Sequence, residues 1–472
     1  MTQTTQLKTL FKAVNPVIKT RCVQLDLKGM PPTPERLVRL LEVFAAARYN
    51  AVLVEWEDSF PWTVDERFRS ETAYSPDTVR KFVATAKRLK LEIIPLVQCL
   101  GHMETPLRLP EYARLREVSY SESGLNPLAP GARELVERMI DDVLRLMPNV
   151  RYFHLGGDEA MNFGTHPDTK KYIASHGKGA LYLRHVEPLL DKLSRRKIRP
   201  LLWHDMMCDW NSAALRRLAR EADLVVWGYR GDPDKVTVAT HYRRENIEKF
   251  IKHGFSLWGA TAYKGADGSD ADLPDLAVRE MNACAWTRVA KRYDFQGLIA
   301  TAWSRWNTNH LQNEPIDGAL DSALMVAVIM HDGSLPENGA EKCRQALARI
   351  GEGARFRKVY AALWKLTRAR KQAWDTIKTV RQLIVTVTQD TRRLLGGNNQ
   401  LIDCASNMRN ILEAADAASH DLRKALAGLM EPIWIERYIA ERVEPVREEF
   451  FTLKARIKQL NPVADNALFR DR

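Results

Sequence analysis

Short, nearly unbroken apolar runs alternate along this chain with longer segments whose apolar residues fall three and four apart. The runs are VQLDL (23–27), AVLVEW (51–56), EIIPLVQ (92–98), YFHLG (152–156), RPLLWHD (199–205), LVVWGY (224–229), FSLWGATAY (255–263) and GLIATAW (297–303). Such runs suit strands buried on both faces. Between them, PERLVRLLEVFAAA (34–47) puts Leu37, Leu40, Leu41 and Phe44 on one helical face, with Pro34 fitting a first turn. After Ser75 as an N-cap, Val79, Phe82, Val83, Ala86 and Leu89 form a second stripe. Helical spacing recurs at 133–147, 180–193, 213–222, 243–254, 276–293 and 317–331. Eight strands alternating with eight helices predict an α/β fold of the (β/α)8 TIM-barrel class over residues 21–335, after an N-terminal extension of residues 1–20.

From 336 to 472 the pattern changes to long amphipathic helices, with breaks expected at Gly396-Gly397-Asn398-Asn399 and at Pro432 and an end near Pro462. This reads as an all-α C-terminal domain, a helical bundle suited to packing on the barrel or to homo-oligomer formation. The chain has 472 residues, 45% hydrophobic and 28% charged, which suits a large core with an appendage. Six cysteines without a CxxC pair argue against a disulfide scaffold or structural zinc and for a reducing compartment. No run is long and apolar enough for a membrane span and the N-terminus has no signal-like core, so a cytoplasmic location with no membrane partner is expected. The net charge of +12 raises the question of nucleic acid. Residues 341–472 hold 25 Lys and Arg against 16 Asp and Glu, so nine of the twelve surplus charges sit in the tail. There they are spaced through helices as a solvated surface would be, and no nucleic-acid partner is expected.

In a (β/α)8 barrel the C-terminal strand ends form one concave face. Those ends here carry Asp26 and Lys28, then Glu55, Glu57 and Asp58, then Gln98, His102 and Glu104. His154, Asp158 and Glu159 follow, then Trp203, His204 and Asp205, Trp227 and Tyr229, Tyr263 and Lys264, and finally Trp303, Arg305 and Trp306. Acids beside flat indoles suit a sugar, which offers a C–H face to stack and hydroxyls to hold. Within R-Y-F-H-L-G-G-D-E-A (151–160), adjacent acids on a strand would point to opposite faces, so Asp158 and Glu159 converge only where the chain leaves the strand. Gly156 and Gly157 permit that turn. Their mutual repulsion favours one protonated and one charged carboxyl.

The segment H154-L-G-G-D158-E159 resembles the H-x-G-G-D-E signature of glycoside hydrolase family 20, the β-N-acetylhexosaminidases. V23-Q-L-D-L-K-G-M-P-P, E55-W-E-D-S-F-P-W, P95-L-V-Q-C-L-G-H-M-E and L257-W-G-A-T-A-Y-K-G-A resemble its hexosaminidase D branch, so the likeness spans about residues 20–310. The resemblance implies an exo-acting, retaining enzyme without metal or other cofactor. It would act on a terminal β-linked amino-sugar glycoside of N-acetylglucosamine or N-acetylgalactosamine, whose own 2-acetamido oxygen attacks the anomeric carbon to give an oxazolinium ion. By the same resemblance Asp158 orients the acetamido group, and Glu159 protonates the leaving oxygen and then activates water. His154 supports the pair. Tyr229 and Tyr263 compete to hold the acetamido oxygen, Trp203, Trp227, Trp258 and Trp303 wall its pocket, Asp205 and Glu55 accept hydroxyls, and His102 with Glu104 faces the pocket. The arginine that many members carry at the end of strand one is replaced by D26-L-K28-G, and Asn307 stands where the branch suggests an acid.

Two other readings stay open. One is a β-glycosidase with Asp158 or Glu55 as carboxylate nucleophile. The other is a non-catalytic barrel scaffold whose basic helical tail is an interaction module.

Overall fold

The computed structural model describes Leu7 and residues 10–236, 240–268, 271–389 and 394–460. Eight parallel strands close into a barrel: β1 (Thr20–Asp26), β2 (Ala51–Glu55), β3 (Glu92–Leu96), β4 (Tyr152–His154), β5 (Arg199–Trp203), β6 (Asp223–Trp227), β7 (Leu257–Lys264) and β8 (Gly297–Ala302). They neighbour one another in chain order, and β8 pairs with β1 from Thr20↔Gly297 onward to close the ring. Every residue of β2, β7 and β8 is buried, as the continuous apolar runs require.

The outer helices are α1 (Pro34–Ala46), α2 (Pro76–Arg88), α3 (Ala132–Leu146), α4 (Lys178–Arg195), α5 (Ser212–Glu221), α6 (Arg244–Lys252), α7 (Leu276–Arg292) and α8 (Leu320–Asp332). Local chemistry sets their starts. The Thr33 hydroxyl accepts from the Arg36 amide ahead of Pro34, and the Ser75 hydroxyl accepts from the Thr78 amide at 3.1 Å ahead of Pro76. The α1 face expected from the spacing is the one buried. In contrast, α8 is buried on all sides from Leu320 to His331, which explains its lack of an amphipathic stripe. Two insertions had no strong pattern in the sequence. One is a hairpin of Arg116–Val118 with Ser121–Leu125, the other a helix over Pro167–His176. Inside the barrel, Leu53, Ile94, Leu96, Leu201, Trp203, Val225, Trp258 and Ile299 form a packed core.

The compact unit holding the barrel continues to Gly353, so α9 (Gly339–Arg349) packs with it and not with the tail helices expected from 336. The second unit contains α10 (Gly353–Gln389), α11 (Leu394–Leu426) and α12 (Pro432–Leu460). Its core joins Ile377 and Val380 of α10, Leu401, Ala405 and Met408 of α11, and Phe450, Leu453 and Ile457 of α12. Pro432 opens a helix as expected, but no break occurs at Gly396–Asn399, through which α11 runs. Each helical glycine costs about 1 kcal/mol, and the apolar residues that α11 buries a turn later outweigh that. None of the six cysteines is paired, and no described helix is long and apolar enough to cross a membrane.

Candidate active site

The strand β4 ends at His154, and the next five residues build the centre of the barrel mouth. Gly156 and Gly157 lie at φ +61° and +78°, where a Cβ would meet Gln98 Oε1 at 1.7 Å and Tyr182 Oη at 2.2 Å. Only glycine fits both positions. The turn is fixed from three sides: Tyr182 Oη donates to the Gly157 carbonyl at 3.0 Å, His154 Nδ1 accepts from the Gly156 amide at 2.9 Å, and Asp205 Oδ2 accepts from the Glu159 amide at 3.0 Å. Glu159 itself has φ +43°, a strained value that it shares with His102 at +54° and Glu57 at +41°. Such strain costs of order 1–3 kcal/mol at each residue and gathers where function over-determines the backbone.

The two acids reach the same place at different depths. They line one cavity of about 370 Å³ with His102, Trp227, Tyr229 and Trp303. The Asp158 side chain is 9% exposed and that of Glu159 46%. His102 Nε2 stands 3.7 Å from Asp158 Oδ2 and 3.3 Å from Glu159 Oε2. Burial raises the Asp158 carboxyl well above its ordinary range, and its neighbours Asp205 and Glu159 raise it further against the pull of His102. The His102 hydrogen bond holds Glu159 below its usual range. Burial alone would lower His102, but the Asp158 charge and the Glu159 hydrogen bond outweigh it and bring His102 up to about 10. His102 is thus an imidazolium paired with Glu159, and it faces a buried Asp158 carboxyl that holds its proton more strongly than an ordinary one does. The same three groups have ligand atoms within 4.8 Å of one another and are the one His/Cys/Asp/Glu cluster of metal-binding geometry among the described residues.

The aromatic wall is built from β6 and β8. Trp227 and Tyr229 stack at 5.3 Å between ring centroids, and Tyr229 lies 6.2 Å from Trp303. Asp205 Oδ1 accepts from Trp227 Nε1 at 3.2 Å, so this acid steers both an indole and the Glu159 amide. Burial keeps the Tyr229 phenol far above its ordinary pKa and therefore an O–H donor.

Several expected wall residues lie elsewhere. Tyr263 points out of the barrel toward Phe44 and donates its hydroxyl to the Gln24 carbonyl at 3.2 Å, so that of these two tyrosines Tyr229 is the one at the cavity. Trp258 is the second residue of β7 and sits at the opposite end of the barrel, where its indole donates to Asp223 at 3.3 Å. Trp203 is fully buried in the barrel core, 4.2 Å from the His154 ring and 6.1 Å from Trp303, beneath the cavity and not on its wall. His154 is buried there too, and burial pushes it down to about 3, so it is a neutral supporting group. Glu55 is held 3.0 Å from Lys28 Nζ and accepts from Gln98 Nε2 at 3.3 Å; it lines a smaller cavity of about 30 Å³ behind His102. In place of an arginine on β1, Lys28 ties Asp26 to Glu55, while Arg305 after β8 pairs with Asp58 at 3.1 Å and Glu57 at 3.6 Å. Tyr242, Arg230 and Ala266 also line the main cavity; Arg230 and Ala266 follow closely on strand ends, whereas Tyr242 lies in a loop far from one and had no signal in the sequence.

The model of the family described as glycosyl hydrolase family 20, catalytic domain, matches residues 24–254. Hexosaminidase D of Bos taurus is 34% identical over 330 residues, covering 67% of this chain and 94% of that protein. Hexosaminidase D of Homo sapiens is 32% identical, covering 69% of this chain and 68% of that protein. Among solved structures, a chitobiase of Flavobacterium johnsoniae superposes with a TM-score of 0.56 at 15% identity, covering 97% of this chain and 74% of that one. A β-N-acetylhexosaminidase of Bacteroides fragilis gives 0.54 at 16% identity, covering 72% of each chain. At these identities the two superpositions speak for the fold.

Proposed function

The chain belongs to glycosyl hydrolase family 20 and is a glycoside hydrolase of the β-N-acetylhexosaminidase kind, and we propose that it removes single terminal β-linked N-acetylhexosamine residues by substrate-assisted, retaining hydrolysis. The observation that carries this reading is the unequal depth of two adjacent acids in one cavity of single-sugar size. The acid at the base, Asp158, suits the acetamido group, which must tuck beneath the sugar ring to bring its carbonyl oxygen to the anomeric carbon. The acid at the mouth, Glu159, suits the glycosidic oxygen, from which the rest of the substrate leaves. Trp227 and Trp303 offer the apolar walls that the acetamido methyl and ring C–H groups need. Tyr229 is the donor available to the acetamido oxygen.

The protons must be rearranged for this chemistry. Burial strengthens the hold of Asp158 on a proton and His102 weakens that of Glu159, whereas turnover needs an acceptor at the acetamido N–H and an acid at the leaving oxygen. His102 Nε2 faces both carboxyls. It gives its proton to Glu159 and takes the Asp158 proton in return, with no net change in charge. Substrate drives the exchange, because the bound amide N–H stabilises ionised Asp158 and the leaving oxygen separates Glu159 from His102. The amide oxygen then attacks the anomeric carbon as Glu159 protonates the departing oxygen. Asp158 balances the positive charge growing on the amide nitrogen, and Glu159, now a base, draws a proton from the water that opens the oxazolinium ring. A cytoplasmic location belongs to the same reading, resting on the scattered unpaired cysteines.

Paired aryl β-glycosides with and without the 2-acetamido group test the reading. Hydrolysis confined to the acetamido member, with inhibition by a thiazoline mimic of the bicyclic intermediate, supports it. Comparable hydrolysis of both, or a sugar trapped covalently on a carboxylate, overturns it in favour of a carboxylate nucleophile.

A further inference from the structure

The two insertions into the barrel, the hairpin of Arg116–Val118 with Ser121–Leu125 and the helix Pro167–His176, are bonded to each other through one side chain. Glu117 is 1% exposed, and its Oε1 accepts from the amides of Gly164, Thr165 and His166 at 2.9, 2.8 and 3.0 Å and from the Thr169 hydroxyl at 2.5 Å. Those amides lead into the helix, where the positive end of its dipole favours a carboxylate. From this clamp the chain runs back to the acids through consecutive turns. The Thr165 amide donates to the Asn162 carbonyl at 3.0 Å, the Phe163 amide to the Ala160 carbonyl at 2.9 Å and the Met161 amide to the Glu159 carbonyl at 2.7 Å.

The second strand of the same hairpin holds the turn of His102. The Leu125 amide donates to the Leu100 carbonyl at 2.9 Å, and the Ser123 carbonyl accepts from the Met103 amide at 3.0 Å, one bond on either side of Gly101 and His102. That turn lies against the acids, since a Cβ on Gly101 would stand 2.0 Å from the Asp158 carbonyl oxygen. Residues 97–103 and 155–166 belong to no helix or strand, so neither turn is fixed by a ladder of its own.

Resting on the reading above, in which Glu159 is the general acid, we propose that Glu117 is a positioning residue for that acid: it clamps the acid loop to the hairpin that carries the His102 turn, and so sets the 3.3 Å contact between His102 Nε2 and Glu159 Oε2. The titratable groups that face the Glu159 carboxyl are His102, Asp158, Asp205, Tyr229 and His241. Of these, His102 is the one on a turn bonded to the hairpin. Without the clamp, His102 and Glu159 rest on separate supports and their contact lengthens. The aim of the acid is thus set by two segments outside the barrel as well as by the strand ends.

Steady-state kinetics of Glu117→Ala, Glu117→Gln and Thr169→Val test this. Glu117→Ala is expected to slow hydrolysis of unactivated glycosides by about tenfold or more and that of nitrophenyl glycosides by less than about threefold, because the acid is misplaced and the attacking amide is not. The alkaline limb of kcat/KM should move up, as in His102→Asn, and the two changes combined should move it no further than His102→Asn alone. Glu117→Gln keeps an accepting oxygen and Thr169→Val keeps the carboxylate, so both should lie between Glu117→Ala and the wild type. Equal losses on the two substrate classes with an unmoved limb overturn the proposal and leave Glu117 as a brace for folding. A combined shift equal to the sum of the two also overturns it, since Glu117 would then act without His102. If Glu117→Ala does not fold, wild-type selectivity and limb in both milder variants overturn it equally. An alkaline limb that survives in Glu159→Gln removes Glu159 as the acid, and the proposal then falls with the reading it rests on.

Discussion

His102 Nε2 lies 3.3 Å from Glu159 Oε2, and this contact lowers the pKa of the acid at the mouth of the cavity. Removing the imidazole deletes both a hydrogen bond and a positive charge, so the Glu159 pKa should rise. His102→Asn keeps a residue tolerant of the left-handed backbone at φ +54°. The general acid would then stay protonated to higher pH, and the alkaline limb of kcat/KM for an unactivated substrate should move upward even as the maximal rate falls. An unmoved limb would show that His102 is not coupled to the acid.

The division of labour between the acids separates by leaving group. Glu159→Gln should slow hydrolysis of unactivated glycosides by about 10²–10⁴-fold and that of nitrophenyl glycosides much less, since the latter leave with little protonation. Asp158→Asn should slow both classes alike, because its partner is the attacking amide in either case. Steady-state kinetics on the two substrate classes decide between these patterns. Equal losses for Glu159→Gln would remove it as the acid.

The two tyrosines that the sequence left in competition should now part company. Tyr229→Phe removes a donor at the cavity, and loss of a hydrogen bond that strengthens as charge develops should cost about 1.5–3 kcal/mol, roughly 10–150-fold in kcat/KM. Tyr263→Phe removes only the bond to the Gln24 carbonyl. Its cost should appear as about 1 kcal/mol of stability with kcat/KM within about twofold of the wild type. A kinetic defect in the second variant equal to the first would reverse the assignment.

That pair shows how far the sequence could be read. The alternation of apolar runs with helical stripes led to eight strands in the right order, because parallel barrel strands are buried on both faces and leave an unmistakable pattern. The strand-end rule brought Asp158, Glu159, His102, Trp227, Tyr229 and Trp303 to one cavity. It could not say which way a residue faces at the rim. Tyr263 is near the end of β7 and yet turned outward, while Trp203 ends β5 and is buried below the floor. Trp258 was readable from its position alone, since the second residue of an eight-residue strand is far from the C-terminal mouth. The cavity residue Tyr242, on a loop far from a strand end, is placed by long-range packing that no local period encodes. The helix through Gly396 and Gly397 is the same lesson in reverse, since tertiary packing of α11 overrides a local breaker.

The paired glycines before the acids give a prediction about architecture. At Gly157 a Cβ would lie 2.2 Å from Tyr182 Oη, and at Gly156 1.7 Å from Gln98 Oε1, both at positive φ. Gly157→Ala must push back Tyr182, whose hydroxyl fixes the turn through the Gly157 carbonyl. The acids downstream then lose their register with the cavity. Activity should fall by more than about tenfold with the barrel still folded, as checked by circular dichroism and a methyl-glycoside assay. Tyr182→Phe in the same background opens no room for the Cβ beyond one oxygen, so it should restore little if backbone strain dominates and much if the hydroxyl clash does.

His185 offers a test of linkage away from the chemistry. Burial pushes its imidazole down to about 4, against the hydrogen bond between Nε2 and the Cys99 carbonyl at 2.7 Å, which favours the charged form. Its native pKa is therefore below the unfolded value of about 6.5, and between the two the unfolded chain binds a proton that the native protein does not. The contribution of this histidine to stability is complete above about 6.5 and is lost as pH falls toward 4. Buried acids work the other way in part of that window. Burial raises Asp26 to about 7 and Asp58 to about 6, so each takes up a proton in the native state first. The overall pH dependence mixes these signs, but the difference between wild type and His185→Gln isolates one residue. Glutamine can donate to the same carbonyl and does not titrate. Urea unfolding between about pH 7 and 5 should show the variant losing less stability on acidification, by up to about 1.4 kcal/mol for each pH unit below 6.5. Parallel curves would mean that His185 is already protonated in the native protein or reaches water.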